Sequence, residues 1–336
     1  MTMERTHAEG SAPRAPRVDV RRPGGVPPVV FVGGTGRSGT HIVAQLLGRS
    51  PNLAMIPVEV RFHTDADGFP GLLAGDVSLE RFVRRLRGYW WKGFQTRRFR
   101  GLYRFVERDR FDSAVSAFES RFGEDREEAC RQLFFDLLWF RTEEEATKRG
   151  LVEQSCDTVA QAPALLRLFD NARFIHVVRD GRDASASRVS QTKGLVRPRT
   201  RAQGIRWWEE RIACVESGAA AIPPDRLLTV SLDELLLTGS GDALRPLMRF
   251  CGTGAGSRAR FFFKTRMNRD EAHSERWRHG LSDRRAAELE ALYEAALDRL
   301  EAGGARSAPL LRRTLERTRG GAGAEPPQPY IYDGAS

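Results

Sequence analysis

Val29-Val30-Phe31-Val32-Gly33-Gly34-Thr35-Gly36-Arg37-Ser38-Gly39-Thr40-His41 is the stretch whose reading decides the fold. The run Val29–Val32 suits a strand buried on both faces, as parallel strands are. A glycine-rich turn follows, and then Thr40–Gly48 sets Ile42, Val43, Leu46 and Leu47 at helical spacing. The order is strand, loop, helix. Glycines such as Gly36 and Gly39 allow successive backbone N–H groups to point inward around a phosphate, and the helix adds its positive N-terminal end. Ser38 and Thr40 supply hydroxyl donors, and Arg37 supplies a cation.

Gly34 and Gly39 stand at the spacing of a nucleoside-triphosphate loop, but Lys and Ser or Thr should then follow. Here Thr40 and His41 follow. The lysine for a β/γ-phosphate and the hydroxyl for magnesium are both missing from their places, which disfavours a kinase or ATPase. A donor with a shorter phosphate chain and no obligatory metal fits better.

Working outward, Leu151-Val152-Glu153, Arg173–Val178 and Arg226–Val230 read as further strands, with helices at Asp183–Val189 and Asp283–Leu300. Strands alternating with helices predict an α/β fold with a P-loop-like central parallel sheet flanked by helices. Residues 79–149 lack a strand pattern. They set Trp90, Trp91, Phe94, Phe99, Tyr103 and Phe105 among arginines, which predicts a helical insertion forming a cap. Residues 1–27 have the Pro-, Arg- and Gly-rich composition of a disordered tail. The expected domain spans 28–305, and 306–336 is expected to be an extension with a disordered end, although Tyr330 and Tyr332 could dock locally.

Composition narrows the class. The 336 residues are 40% hydrophobic and 29% charged, as in a soluble globular protein. There is no apolar run long enough to span a membrane and no apolar leader, which predicts a cytoplasmic location. Cys130, Cys156, Cys214 and Cys251 are scattered, without metal or disulfide spacing. The net charge of +10 comes almost wholly from arginine, since Lys92, Lys148, Lys193 and Lys264 are the only lysines. The arginines are spread along the chain, so basicity predicts anionic ligands in general and does not single out nucleic acid.

The stretch Phe31–Thr40 resembles the 5′-phosphosulfate loop of the sulfotransferase superfamily, closest to the branch with protein-tyrosine sulfotransferases and many bacterial enzymes. Phe174-Ile175-His176-Val177-Val178-Arg179-Asp180-Gly181-Arg182-Asp183-Ala184-Ser185-Ala186-Ser187 is similar to that family's 3′-phosphate motif. The resemblance implies 3′-phosphoadenosine 5′-phosphosulfate (PAPS) as donor, held by Arg179 and Ser187 as well as by Gly36, Arg37, Ser38, Gly39, Thr40 and His41. A guanidinium and a hydroxyl at a helix start make a charge-assisted anion site. Ser274-Glu275-Arg276-Trp277-Arg278 resembles a loop that closes over the nucleotide, which assigns Arg276 and Trp277 to the donor, with a packing anchor as the other reading of Trp277.

Sulfuryl transfer needs a general base at the acceptor oxygen. The resemblance puts Glu59 in that role, with Arg37 at the leaving group; a salt bridge from Glu59 to Arg61 or another arginine is the competing reading. His41 and His63 are rival bases. Two positions depart from the family pattern. Glu153-Gln154-Ser155-Cys156 replaces a lysine-bearing segment, and Ser231-Leu232-Asp233-Glu234 lacks a nucleotide-contacting tyrosine. The expected partner is a hydroxyl-bearing acceptor (small molecule, glycan or peptide). A phosphate-loop kinase and a noncatalytic nucleic-acid binder are the alternatives.

Overall fold

β1 (Val29–Gly34) is buried along its whole length and is hydrogen-bonded on both sides by parallel partners. In this computed structural model the described residues are 27–93, 101–139, 148–191, 197–267, 275–320 and 326–334. The expected tail up to residue 26, Phe94, Phe99, Ser274 and the end residues 321–325 and 335–336 lie outside them. β2 (Leu53–Met55), β3 (Gly150–Glu153), β4 (Arg173–Val178), β5 (Leu227–Ser231) and β6 (Tyr330–Ile331) complete one sheet of order β2-β3-β1-β4-β5-β6. All neighbours are parallel except β6, which runs antiparallel to β5. The sequence pattern missed β2 and β6 because three and two residues are too few to show a period.

The two faces of β1 divide the core. Val29 and Phe31 share a cluster with Phe69 of α2 (Phe69–Ala74) and with the helical stretch, including Phe82 of α3 (Leu79–Arg85), Phe111 and Phe118 of α4 (Arg108–Arg121) and Phe134 of α5 (Arg126–Leu138). Val30 and Val32 face α1 (Thr40–Leu47) and the helices after β5. The helical stretch therefore packs its aromatic side onto one sheet face, and many of its arginines stay in water. Each buried phenylalanine contributes about 1.5–3 kcal/mol by leaving water.

α6 (Ala162–Leu168) joins the Phe31 side. α7 (Gly181–Val189) follows β4 directly and packs on α8 (Arg201–Ala219), whose start carries a capping box of Thr200 and Gln203. α9 (Leu232–Leu237), α10 (Arg245–Phe250) and α11 (Ser257–Arg266) lie on the Val32 side. α12 (Asp283–Ala302) and α13 (Ala308–Gly320) close a third cluster around Trp208, Trp277 and Tyr293. The fold is α/β, with a P-loop-like sheet between helical layers. Among the described residues no helix is long and apolar enough to cross a membrane.

β1, β3 and β4 are adjacent and parallel, with Phe31 opposite Glu153 and Gly33 opposite His176. The segments leaving their carboxyl ends are thus brought together, where open parallel sheets bind ligands.

Candidate active site

The loop after β1 turns through three left-handed residues, Gly36 (φ 79°), Arg37 (φ 62°) and Gly39 (φ 95°). Such turns aim backbone N–H groups into a concavity. α1 begins at Thr40 with no side-chain cap and no acid in its first turn, which leaves its N-terminal donors for an outside anion. A Cβ on Gly36 would meet nothing within 4 Å, whereas one on Gly34 would sit 2.4 Å from Ser38 Oγ and 2.5 Å from the Val177 carbonyl oxygen. Ser38 Oγ is buried and has no hydrogen-bond partner. A hydroxyl left unpaired at an anion cradle suits a ligand that brings its own acceptor.

Arg37 is held in its uncommon conformation by the second motif. Its Nε donates to Ser187 Oγ at 2.9 Å, and Arg179 Nη1 donates to the Arg37 carbonyl at 3.3 Å. Although its tip reaches solvent, enclosure by the site and the Arg179 charge lower its pKa, with Arg188 adding to the effect. A guanidinium whose charge is disfavoured by neighbouring cations stands at a site that favours an anion. Ser38, Gly39, Arg37, Arg179 and Ser187, expected from separate motifs, are thereby joined in one region.

Glu59 is close enough to Arg37 to act on its charge. Burial raises its pKa, partly offset by a hydrogen bond from Cys156 and by the charge of Arg61. Among the described residues its one hydrogen bond is from Cys156 Sγ to Oε1, 3.2 Å. Arg61 does not form the competing salt bridge: its guanidinium pairs with Asp65 at 2.8 Å and Asp157 at 3.8 Å. Cys156 Sγ also stands 3.8 Å from Thr40 Oγ1, so it touches both the phosphate-loop helix and Glu59. Burial drives its thiol pKa well up, which keeps it S–H.

The Glu59 loop is pinned from below by a network that sequence reasoning did not find. Arg61 N–H donates to Ser155 Oγ (3.3 Å), and Ser155 Oγ donates to Glu153 Oε1 (2.7 Å). His63 Nε2 meets Glu153 Oε2 at 3.0 Å, both side chains fully buried. His63 is packed among Phe31, Phe62 and Phe134, so it supports the loop from the core and does not reach an acceptor. Its signal was the Glu153-Gln154-Ser155 segment at the end of a buried strand, where a charged residue demands a partner. His41 is exposed and hydrogen-bonds Gln45 along α1.

Residues 28–254 match the sulfotransferase family. The chain belongs to that family. Among solved structures, this sulfotransferase is similar to the sulfotransferase domain of a Synechococcus olefin synthase (18% identity, covering 76% of this chain and 89% of that one, TM-score 0.48). It is also similar to a sulfotransferase from Alicyclobacillus acidocaldarius (12% identity, covering 87% and 100%, TM-score 0.44). No curated protein matches its sequence.

Arg276 is exposed on the short turn Arg276–Arg278, whereas the Trp277 ring is buried, 4.5 Å from the Arg182 guanidinium. Trp277 packs in the core; its backbone, not its ring, belongs to the turn. Asp233, in the segment without the family tyrosine, accepts from Asp180 N–H at 2.7 Å. Burial pushes Asp233 up to about 7 and Asp183 up to about 6, with Arg179 opposing both shifts. Gln154 is buried, and its Oε1 makes no hydrogen bond.

Proposed function

We propose that the chain transfers a sulfuryl group from PAPS to an acceptor hydroxyl, in line and without a metal, with Glu59 as general base. The observation that carries this reading is the position of Arg37. It hydrogen-bonds Ser187 of the second phosphate motif and lies in the field of the half-buried Glu59. A cation between an anion cradle and a base suits a reaction in which charge builds on a leaving phosphate while a proton leaves the nucleophile.

In this reading the loop Gly36–Thr40 and the start of α1 hold the 5′-phosphosulfate, and Arg179, Ser187 and Arg276 hold the 3′-phosphate. The acceptor oxygen forms the new S–O bond, the bridging S–O bond breaks toward the phosphate, and the acceptor proton passes to Glu59. Arg37 neutralises the departing phosphate, a task that falls to it because the segment Glu153-Gln154-Ser155-Cys156 lacks the family's lysine. The raised pKa of Glu59 suits a base working near neutrality. Tyr89 lies in the field of Arg61, Asp65 and Glu59, which supports setting the helical stretch beside the reacting end. We assign the acceptor pocket to that stretch and leave the acceptor at a hydroxyl compound, glycan or peptide.

The test is to titrate the protein separately with adenosine 3′,5′-bisphosphate and with ATP plus magnesium. Binding of the bisphosphate without magnesium is expected. Tight binding of ATP with magnesium, and none of the bisphosphate, would overturn the reading in favour of a kinase. Transfer from labelled donor to an acceptor panel, read by mass spectrometry, then identifies the acceptor.

A further inference from the structure

One carboxylate collects both amides that flank Arg276. Asp183 Oδ2 accepts from Glu275 N–H at 2.7 Å, and Asp183 Oδ1 accepts from Trp277 N–H at 3.0 Å. The same turn is gripped from its other side by Arg201, which donates to the carbonyls of Trp277 and His279, the latter at 2.6 Å. Glu275 sits at φ 60°, a conformation that costs a non-glycine residue energy and persists only where neighbours fix it.

Asp183 lies in the first turn of α7, the helix that also presents Ser187 to Arg37. Positions 183 and 187 are four apart, so they share a helix face. The turn bearing Arg276 is therefore docked on the face of α7 that faces the donor site. A carboxylate there would repel a phosphate if it pointed at one; with two N–H groups on its two oxygens, it acts through the turn instead.

We propose that Asp183 is a positioning residue for donor binding, whose carboxylate fixes the Arg276 turn so that the Arg276 guanidinium joins Arg179 and Ser187 around the 3′-phosphate. The proposal rests on the donor reading above and adds to it the element that orients Arg276. The amide of Asp183→Asn retains one acceptor but turns an N–H against the second backbone amide, which releases half of the latch.

The test is a double-mutant cycle on the full chain, with Asp183→Asn, Arg276→Ala and the pair, titrated with adenosine 3′,5′-bisphosphate and with 5′-AMP. Loss of one charge-assisted contact predicts about tenfold weaker bisphosphate binding for either single variant. The double variant is expected to be no weaker than the weaker single one, 5′-AMP affinity to change little, and donor KM to rise more than kcat falls. If the two losses multiply, or if Arg276→Ala binds the bisphosphate as well as the parent, Asp183 does not act through Arg276 and the proposal falls while the donor reading stands. If the parent does not bind the bisphosphate at all, it is the donor reading that fails. Should Asp183→Asn fail to fold, Asp183→Glu keeps the charge on a longer stem. An intermediate loss of affinity that disappears in the Arg276→Ala background supports the latch, and full parental affinity overturns it.

Discussion

Cys156 donates its S–H to Glu59 Oε1 at 3.2 Å, joining residues 97 positions apart in the chain. A donor on a carboxylate favours the ionised form, so the thiol lowers a pKa that burial raises. The same sulfur lies beside Thr40 at the start of α1. The contact couples Glu59, the proposed base, to the helix proposed to hold the donor.

Glu59→Gln removes the proposed proton acceptor and keeps the shape. Turnover should fall about 10²–10⁴-fold, the usual range for a general base, while bisphosphate affinity stays close to that of the parent. Steady-state kinetics and calorimetry together check both halves. Full turnover in this variant would remove Glu59 from the chemistry.

Cys156→Ala removes the donor and should raise the Glu59 pKa. Because the base must be ionised, the acid limb of the kcat–pH profile should then move to higher pH, by up to about one unit. Cys156→Ser restores an O–H donor and should bring the limb back. An unmoved limb in Cys156→Ala would mean that the contact does not tune the base.

Ser187→Ala deletes the partner of Arg37 Nε and one donor of the anion site. A hydrogen bond of about 0.5–1.5 kcal/mol corresponds to roughly a two- to tenfold loss of bisphosphate affinity. Arg37→Lys keeps the charge but not the geometry that reaches Ser187, so it should lose both affinity and turnover. Calorimetric titration of each variant decides.

Gly34 and Gly36 should respond differently to alanine. At Gly34 the new methyl meets Ser38 Oγ and a carbonyl of the neighbouring strand within 2.5 Å, so the loop must deform or the protein unfold. At Gly36 the space is open and only the left-handed backbone resists, at a cost of about 1–2 kcal/mol. Thermal melts should show a small drop for Gly36→Ala and a large one, or no folded protein, for Gly34→Ala.

Asp233 makes stability depend on pH in a predictable direction. Its folded pKa of about 7 lies above the ordinary value of 3.8, so the folded state keeps a proton that the unfolded state gives up. That contribution to stability is largest in acid and is lost as pH rises from about 4 through about 7. Asp233→Asn cannot ionise, yet keeps an oxygen for the Asp180 amide. Its stability relative to the parent should rise across that window, by at most about 4 kcal/mol, and level off above it. Urea unfolding at pH 5 and pH 8 measures the difference; a flat difference would refute the burial of an ionised Asp233.

Much of this was legible in the chain because it is local. Val29–Val32 and Arg173–Val178 announce buried strands by composition alone, and the glycines before Thr40 announce a tight turn before a helix. The short edge strand Tyr330–Ile331 and the helix Ala308–Gly320 were not read; the strand owes its form to pairing with β5, and the helix, which buries Leu310, Leu311 and Leu315 on one face, lies in the stretch read only as an extension. Trp277 beside Arg276 read as either a ligand contact or a packing anchor, because sequence shows which residues are neighbours but not which way a ring turns; the ring is buried.

The sequence by itself determined the strand–loop–helix units that carry the two proposed anion-binding motifs, since turn geometry and residue spacing are properties of contiguous segments. Only the tertiary structure decided that Cys156 meets Glu59, that His63 is spent on Glu153, and that Asp183 receives the amides beside Arg276. The physical reason is the parallel sheet. Setting β3, β1 and β4 side by side aligns their carboxyl ends, and side chains far apart in sequence become neighbours there through strand register and helix packing.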